Sequence, residues 1–572
     1  MISELIKSRT RLLNNSAYPE RYQNAYLNRA VKFINSLYKG GLITPSITYD
    51  KRLEVLNIRS KGFVLRWSKK VSTEDLFSEL NISVGDLDYR LKEVVENKII
   101  LNRIIVMKIN FDIPVEDILN LPIHNKICLT VINKDQDFRA SKQIIYSLLK
   151  MSKHVGKNKN IIILDNHESS VYLRQSSRNK LYLTVRERLI TDSPAKQRLI
   201  NTAWFVSNFV GLFWRPIIFY EKFSSKFEES SSIVFFNLKD KNTKNIYFIL
   251  SGDHSNFSEL RGKYGKSLLE KDSFLHYLAF FCSKKFIGTE MIAHSIGLRV
   301  ANYRAVRKLV NKDDLSFIFL QHGVMYMVAL SSTARKEARK TGNTMPVNSK
   351  IVVSSSLEAD HFTVLGEYSA KDLYICGLPK FDRAIRNYDA SKIVIMPTWR
   401  PWEYNIVREK TLDSGYYKMI RKMAESVPEN LKDKLIILPH PLFRDGFKNT
   451  DLEGYLSEEK SYDKILKDTS LLITDYSSIA YDAFFRGSNV IFWWQDKDGC
   501  MDFYGGSLMI NDKNIFGDII YTKKDLTSSI RKNYGNQQST KYKRRYSKIV
   551  EFHDNKNTER LVRMLKKDGF IK

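Results

Sequence analysis

From about residue 210 onward, short apolar runs recur and most stop at a polar residue, a glycine or a proline. The first set is 216–220 (PIIFY), 246–250 (IYFIL), 285–288 (KFIG), 316–320 (SFIFL) and 351–354 (IVVS). The second is 393–396 (IVIM), 435–438 (LIIL), 471–474 (LLIT) and 490–493 (VIFW). Runs this short and this apolar suit strands buried on both faces, as in parallel sheets. Helical patterns at 230–238, 272–282 and 416–424 lie between them. Strands alternating with helices imply βαβ units. Gly377-Leu378-Pro379-Lys380 punctuates the series as a linker. The expected fold class is therefore α/β. Two doubly wound, Rossmann-like domains, 210–375 and 377–572, stand in tandem and face a cleft. Ligands of such sheets bind at the carboxyl ends of the strands. The segment 539–567 is expected to be helical and is strongly basic.

A chain of 572 residues exceeds one core, which stops growing near ~250–300 residues. Residues 1–205 are expected to form an additional N-terminal α/β module of unknown role. There, 87–106 reads as an amphipathic helix running into a strand, 127–132 and 161–164 as buried strands, and 141–151 as a helix. With 43% hydrophobic and 27% charged residues, long disorder is not expected. Lys plus Arg number 92 against 63 Asp plus Glu, a formal +29. That excess suggests an anionic partner, and nucleic acid, anionic lipid or a polyphosphate chain would each satisfy it. Cys128, Cys282, Cys376 and Cys500 stand far apart, so neither a disulfide framework nor a zinc site is indicated. The start, Met1 to Lys7, has no apolar core of a signal peptide, and no apolar run reaches ~18 residues. A soluble or membrane-surface protein is expected.

Four polar groups follow predicted strands. Gln321-His322-Gly323 follows 316–320, and its imidazole could take a proton from a hydroxyl near neutral pH. A histidine simply hydrogen-bonded at a strand end is the competing reading. Thr398-Trp399-Arg400 follows 393–396, and the guanidinium fork suits phosphate oxygens. An arginine packed on Trp399 or Trp402 is equally compatible. Pro439-His440-Pro441 follows 435–438, with the backbone fixed around the ring. Asp475-Tyr476-Ser477-Ser478 follows 471–474 and opens a helix, the setting of an anion site or of plain capping. All four suit phosphate chemistry. The chain has no G-x-x-x-x-G-K-[S/T] loop and no G-x-G-x-x-G after a strand. It has no His/Cys cluster or site-like D-x-D either, so no metal or cofactor is expected.

In order, these pieces resemble the CDP-glycerol glycerophosphotransferase family, the teichoic acid and capsule polymerases. They are His322-Gly323, Gly377-Leu378-Pro379-Lys380-Phe381-Asp382, Pro397-Thr398-Trp399-Arg400, His440-Pro441, and Thr474-Asp475-Tyr476-Ser477-Ser478 with Asp482. Phe552-His553-Asp554 and Asn557-Thr558-Glu559-Arg560 are similar to the family's closing helix. The resemblance spans about residues 215–565 and implies a GT-B fold. It implies transfer of glycerol- or ribitol-phosphate from a CDP-polyol donor to a hydroxyl of an anionic, lipid-linked or polysaccharide acceptor, with release of CMP. His322 and His440 would be catalytic, His322 as general base. Arg400, Thr398, Asp475, Ser477 and Ser478 would hold the donor phosphates, joined by Arg544 and Arg545. The resemblance also implies a cytoplasmic protein on the inner membrane face. Many family members carry Trp-His-Gly-Thr-Pro where this chain has Gln321-His322-Gly323-Val324-Met325, which leaves acceptor and polyol open. A GT-B glycosyltransferase using a nucleotide sugar is the alternative. Nucleic-acid binding is not expected, because no recognised module is present.

Overall fold

The computed structural model describes residues 46–65, 80–85, 87–90, 93–100, 104–119, 124–131, 145–146, 161–164, 169–175, 181–298, 309, 314–330, 346, 348–403, 406–407, 410–441, 443–459, 461–504 and 507–572. The chain divides into two compact units, residues 1–192 and 193–572.

The described part of the first unit is β-structure with one five-residue α-helix, Val115–Leu119, and a short 3-10 helix, Ile190–Asp192. One sheet pairs Ser46–Asp50, Val55–Leu65, Ile104–Pro114 and Glu93–Ile100 in that order, all antiparallel. The other holds Leu87–Arg90, Leu80–Val84, His124–Val131, Leu181–Glu187, Ser169–Gln175 and Ile161–Leu164, also antiparallel. Leu56 and Ile58, Phe111 and Ile113, Ile82 and Val84 are fully buried, the period-two signature of strands with one face inward.

Two expectations for this region change. The α/β module gives way, among the described residues, to paired antiparallel sheets. The helix expected to open 87–106 is instead two strands, Leu87–Arg90 and Glu93–Ile100, and the strand expected after it is Ile104–Pro114. Val94, Val95, Ile99, Ile100, Ile104 and Ile105 come as β-branched doublets, which mimic helical spacing yet favour extended backbone. The strands at 127–132 and 161–164 are present. Of the helix expected at 141–151 only Ile145–Tyr146 is described, as a strand, and the rest lies outside the described residues with Met1 to Lys7.

The second unit opens with α1 (Pro194–Val210), capped by the Ser193 side chain, which accepts from the Lys196 N–H. The boundary expected at 205 falls inside this helix. Seven strands follow: β1 (Ile217–Tyr220), β2 (Ile246–Leu250), β3 (Leu268–Glu270), β4 (Lys285–Gly288), β5 (Ser316–Phe319), β6 (Asn348–Val353) and β7 (Leu373–Ile375). They form one parallel sheet in the order β3-β2-β1-β4-β5-β6-β7. A second parallel sheet joins β8 (Lys392–Ile395), β9 (Leu435–Ile437), β10 (Thr469–Thr474), β11 (Asn489–Trp493) and β12 (Asp518–Ile520) as β9-β8-β10-β11-β12. Helices α2 (Ser230–Asp240), α3 (Phe274–Cys282), α4 (Ser356–Val364), α5 (Gly415–Glu425) and α6 (Ile479–Phe485) lie between the strands, and α7 (Lys523–Asn533) follows β12. β1 and β11 are buried along their whole length, which explains why every residue in them but Asn489 is apolar.

Strand order reverses between β1 and β4 in the first sheet and between β8 and β10 in the second. Loops leaving the strands on either side of a reversal diverge and open a crevice. The His322 loop leaves β5, next to the first reversal. The segments at Thr398 and Asp475 leave the two strands that flank the second.

The basic tail is two helices, α8 (Thr540–Ile549) and α9 (Asn557–Lys567), rather than one. Helix α9 returns to the first sheet. Asp382 accepts the Asn557 and Thr558 N–H groups at 2.9 and 2.7 Å, and Tyr374 donates to Asp568 at 2.5 Å. Gly377, at φ +80°, lies so close to this helix start that a Cβ would stand 2.1 Å from Asn557 Oδ1. Gly377→Ala combines a left-handed backbone with that clash. It is expected to cost about 2–4 kcal/mol of stability, read as a lowered urea midpoint. No helix of the described residues is long and apolar enough to cross a membrane.

Candidate active site

β5 delivers the chain to Gln321, which is fully buried and sits in the left-handed region at φ +57°. Its side-chain amide donates to the Val352 carbonyl at 2.5 Å. On the other side, the buried Glu358 carboxylate of α4 accepts the Met325 N–H at 2.7 Å and the Ser354 N–H at 2.6 Å. Anchored at both ends, the loop turns His322 outward with half of its side-chain surface open. Gly323 packs against the start of α6: a Cβ there would lie 2.9 Å from Ser478 Oγ. The following residues are tied to the second half. Tyr481 donates to the Tyr326 carbonyl at 2.5 Å, and the Met509 N–H reaches the Met327 carbonyl at 2.9 Å. The loop carrying His322 is thus locked against the start of α6.

Lys380 fastens the same junction. Its ammonium donates to the His322 carbonyl at 2.9 Å and pairs with Asp482 of α6 at 2.6 Å. Glu290, just past β4, has Oε1 3.8 Å from His322 Nδ1. A carboxylate on that side favours a proton on Nδ1, which leaves Nε2 as the basic nitrogen. The protein packed against the covered half of the ring lowers the His322 pKa below the ordinary histidine value; Glu290 pulls it up, while Lys380 and Lys222 push it down. The neutral ring is the form that accepts a proton. The acid limb of kcat/KM is therefore expected below about pH 6.5, the ordinary histidine value. Glu290→Gln removes the group that raises the pKa and should move the limb further to acid. Lys380→Met removes a cation and should move it the other way. A pH–rate series on the three proteins checks both directions.

The loops after the strands of the second sheet carry the other candidate residues. Asp475, fully buried after β10, accepts the Thr398 N–H at 2.8 Å and the Tyr476 N–H at 2.6 Å. Arg400 is buried too. It pairs with Asp475 at 2.9 Å and with Asp496 at 2.7 Å, and gives a third bond to the Thr398 carbonyl at 2.8 Å. Its guanidinium lies 5.6 Å from the Tyr476 ring centre and 5.8 Å from that of Trp402. Burial alone would lower its pKa, but the two carboxylates outweigh that and hold it above the usual arginine value. The His440 ring stacks on Trp399 at 5.2 Å, and its backbone N–H donates to the Tyr416 hydroxyl at 3.1 Å. Ser477 Oγ accepts the Ile479 N–H at 3.4 Å at the opening of α6. Thr398 Oγ1 is buried with no hydrogen-bond partner.

These contacts bring His322 and Ser478 together through Gly323. They join Thr398, Arg400 and Asp475 into one cluster, with Trp399 carrying it on to His440. Arg400 does not stand open to a ligand as expected. Its fork is consumed by Asp475 and Asp496, and the aromatic packing weighed against phosphate binding is what surrounds it. Asp475 likewise holds backbone. Arg545 donates to the Ile515 carbonyl at 3.1 Å, and Arg544 is exposed on α8; among the described residues neither contacts the His322 loop. Glu290, Lys380 and Asp496 were not singled out from sequence. Glu290 lies two residues past 285–288, within reach of the strand-end rule, and Lys380 lies in the Gly-x-Pro-Lys-x-Asp motif.

The sequence profile of the family described as CDP-Glycerol:Poly(glycerophosphate) glycerophosphotransferase matches residues 205–567. The minor teichoic acid biosynthesis protein GgaB of Bacillus subtilis (strain 168) is 25% identical over 347 residues, 55% of this chain and 35% of that protein. The match thus spans about a third of that relative's length. Among solved structures, the wall teichoic acid polymerase TagF aligns at 15% identity and TM-score 0.47, covering 65% of this chain and 93% of its own. UDP-GlcNAc 2-epimerase from Methanocaldococcus jannaschii aligns at 12% identity and TM-score 0.37, covering 62% and 99%.

Proposed function

Because the chain belongs to the CDP-glycerol:poly(glycerophosphate) glycerophosphotransferase family, we propose that it transfers a glycerol- or ribitol-phosphate unit from a CDP-polyol to a hydroxyl of a growing teichoic-acid-like or capsular polymer, releasing CMP. The observation that carries this reading is the closure of the His322 loop onto Ser478, which sets a proton acceptor beside an N-terminal helix end. The acceptor oxygen attacks the phosphorus that bears the polyol. The bond from that phosphorus to the oxygen of CMP breaks, and His322 takes the hydroxyl proton. Ser477, Ser478, Thr398 and His440 face the donor and stabilise the charge gathering on CMP, which is where catalysis of phosphoryl transfer chiefly lies. Arg400 and Asp475 keep that wall in shape. Arg544 and Arg545 are assigned to the outer phosphates.

In this reading the two parallel sheets form a GT-B pair, with 210–375 on the acceptor side and 377–572 on the donor side. Residues 1–205 serve acceptor binding or assembly. The protein works on the inner membrane surface with a lipid-linked acceptor. Its net charge of +29 and the exposed Phe205, Phe209, Leu212 and Phe213 at the end of α1 support that placement. The test is a donor screen with a polyol-phosphate primer. CMP should appear with CDP-glycerol or CDP-ribitol in step with primer extension, and no CMP from either donor would end the proposal.

A further inference from the structure

The loop after β5 changes sides along its length. Up to Met325 its partners lie in the first half: the Val352 carbonyl accepts the Gln321 amide, and Glu358 accepts the Met325 N–H. From Tyr326 onward the bonds cross to the second half. The Tyr481 hydroxyl donates to the Tyr326 carbonyl at 2.5 Å, and the Met509 N–H to the Met327 carbonyl at 2.9 Å. The Ala329 N–H donates to the Ser507 carbonyl at 2.8 Å, and Val328 pairs with Leu508 as an isolated antiparallel bridge. Val324, Tyr326 and Met327 are buried in one cluster with Tyr476, Ala480 and Tyr481. A loop that leaves the first sheet is therefore seated largely by the second half.

Tyr481 stands in that seat as a fixed post. It is fully buried, its ring packs on Phe516 at 4.9 Å, and its own carbonyl accepts the Tyr546 hydroxyl at 2.7 Å. Burial holds the phenol pKa well above its ordinary value, so the hydroxyl stays a donor. The next residue of α6, Asp482, pairs with Lys380 at 2.6 Å, and Lys380 donates to the His322 carbonyl at 2.9 Å. Adjacent residues of α6 thus grip the loop at Tyr326 and at His322. Ser478, against which Gly323 packs, lies three residues before Tyr481.

We infer that Tyr481 is a positioning residue for the transfer: with the Asp482–Lys380 pair it seats the loop so that His322 keeps a fixed place relative to Ser477 and Ser478. The hydroxyl touches no substrate and acts through the Tyr326 carbonyl. Without it that carbonyl loses its donor inside the protein, and the loop shifts to recover one. A misplacement of about 1 Å in a reacting group costs on the order of 100-fold in rate. This inference rests on the phosphotransferase reading and names what aligns its base with its donor.

Tyr481→Phe keeps the ring and deletes the one bond. Single-turnover CMP release should fall about 10–100-fold, while CDP-glycerol affinity by calorimetry stays within about 2-fold of wild type. Amide exchange of the ligand-free chain gives a readout apart from turnover. The Met325 and Ala329 N–H groups should exchange about 10-fold faster in the variant. Tyr374→Phe is the control: it loses a hydroxyl bond to Asp568 beside α9, and should lower the urea midpoint without slowing CMP release. If Tyr481→Phe does not fold, Asp482→Asn, which weakens the other grip, must show the same split between rate and donor affinity. An unchanged rate in folded Tyr481→Phe overturns the inference. So does a parallel loss of rate and donor affinity, or an equal fall in Tyr374→Phe. Wild type that releases no CMP from CDP-glycerol or CDP-ribitol is the separate failure of the phosphotransferase reading, and unchanged amide exchange would still remove Tyr481 from the seat.

Discussion

Replacing His322 with alanine should lower kcat by about 10²–10⁴-fold while leaving CDP-polyol affinity within a few-fold of wild type. The split follows from where the groups sit. His322 belongs to the loop after β5, whereas the residues assigned to the donor, Ser477, Thr398 and His440, belong to the second sheet. The backbone of the loop is held by Gln321, Glu358 and Lys380 rather than by the imidazole. Removing the ring therefore removes a proton acceptor and little else. His322→Gln should fall as far, because an amide keeps polar contact but takes no proton. Single-turnover CMP release read beside donor binding separates the outcomes, and an unchanged kcat would remove His322 as the base.

Arg400 should behave in the opposite way. Arg400→Met leaves Asp475 buried without its cation and frees a carboxylate at Asp496. Breaking a buried pair by deleting one partner costs about 3–5 kcal/mol. The loss should appear in urea unfolding with no ligand present. Thr398, whose N–H and carbonyl are both held by this cluster, should lose its position as well. Arg400→Lys should recover little, since a point charge cannot serve two carboxylates and a carbonyl from one planar fork. A variant of full stability that had lost only donor affinity would instead return Arg400 to the phosphates.

The strands at the centre of both sheets were legible in the sequence because burial on both faces leaves nothing but apolar residues. β2 and β4 match their apolar runs residue for residue. The edge strands β3, β7 and β12 have three residues each, too few to carry a period. In the first unit, β-branched doublets mimicked a helix because the cross-strand pairing that decides the backbone there, Glu93–Ile100 with Ile104–Pro114, leaves no mark in their spacing. The site shows the same division. His322, Thr398, His440 and Ser478 stand at strand ends and could be found locally. The fate of Arg400 depended on Asp496, and the tie from Lys380 to Asp482 likewise joins residues far apart in sequence. A lone arginine after a strand looks alike whether it faces a ligand or a buried carboxylate. Only the folded chain separates the two.

The central claim is that phosphorus moves with the polyol, and one labelling measurement addresses it. CDP-glycerol carrying labelled phosphorus next to the glycerol is incubated with the protein and primer. The phosphotransferase account predicts that this label enters the polymer while unlabelled CMP is released. Label retained on the nucleotide while the primer gains mass would contradict it.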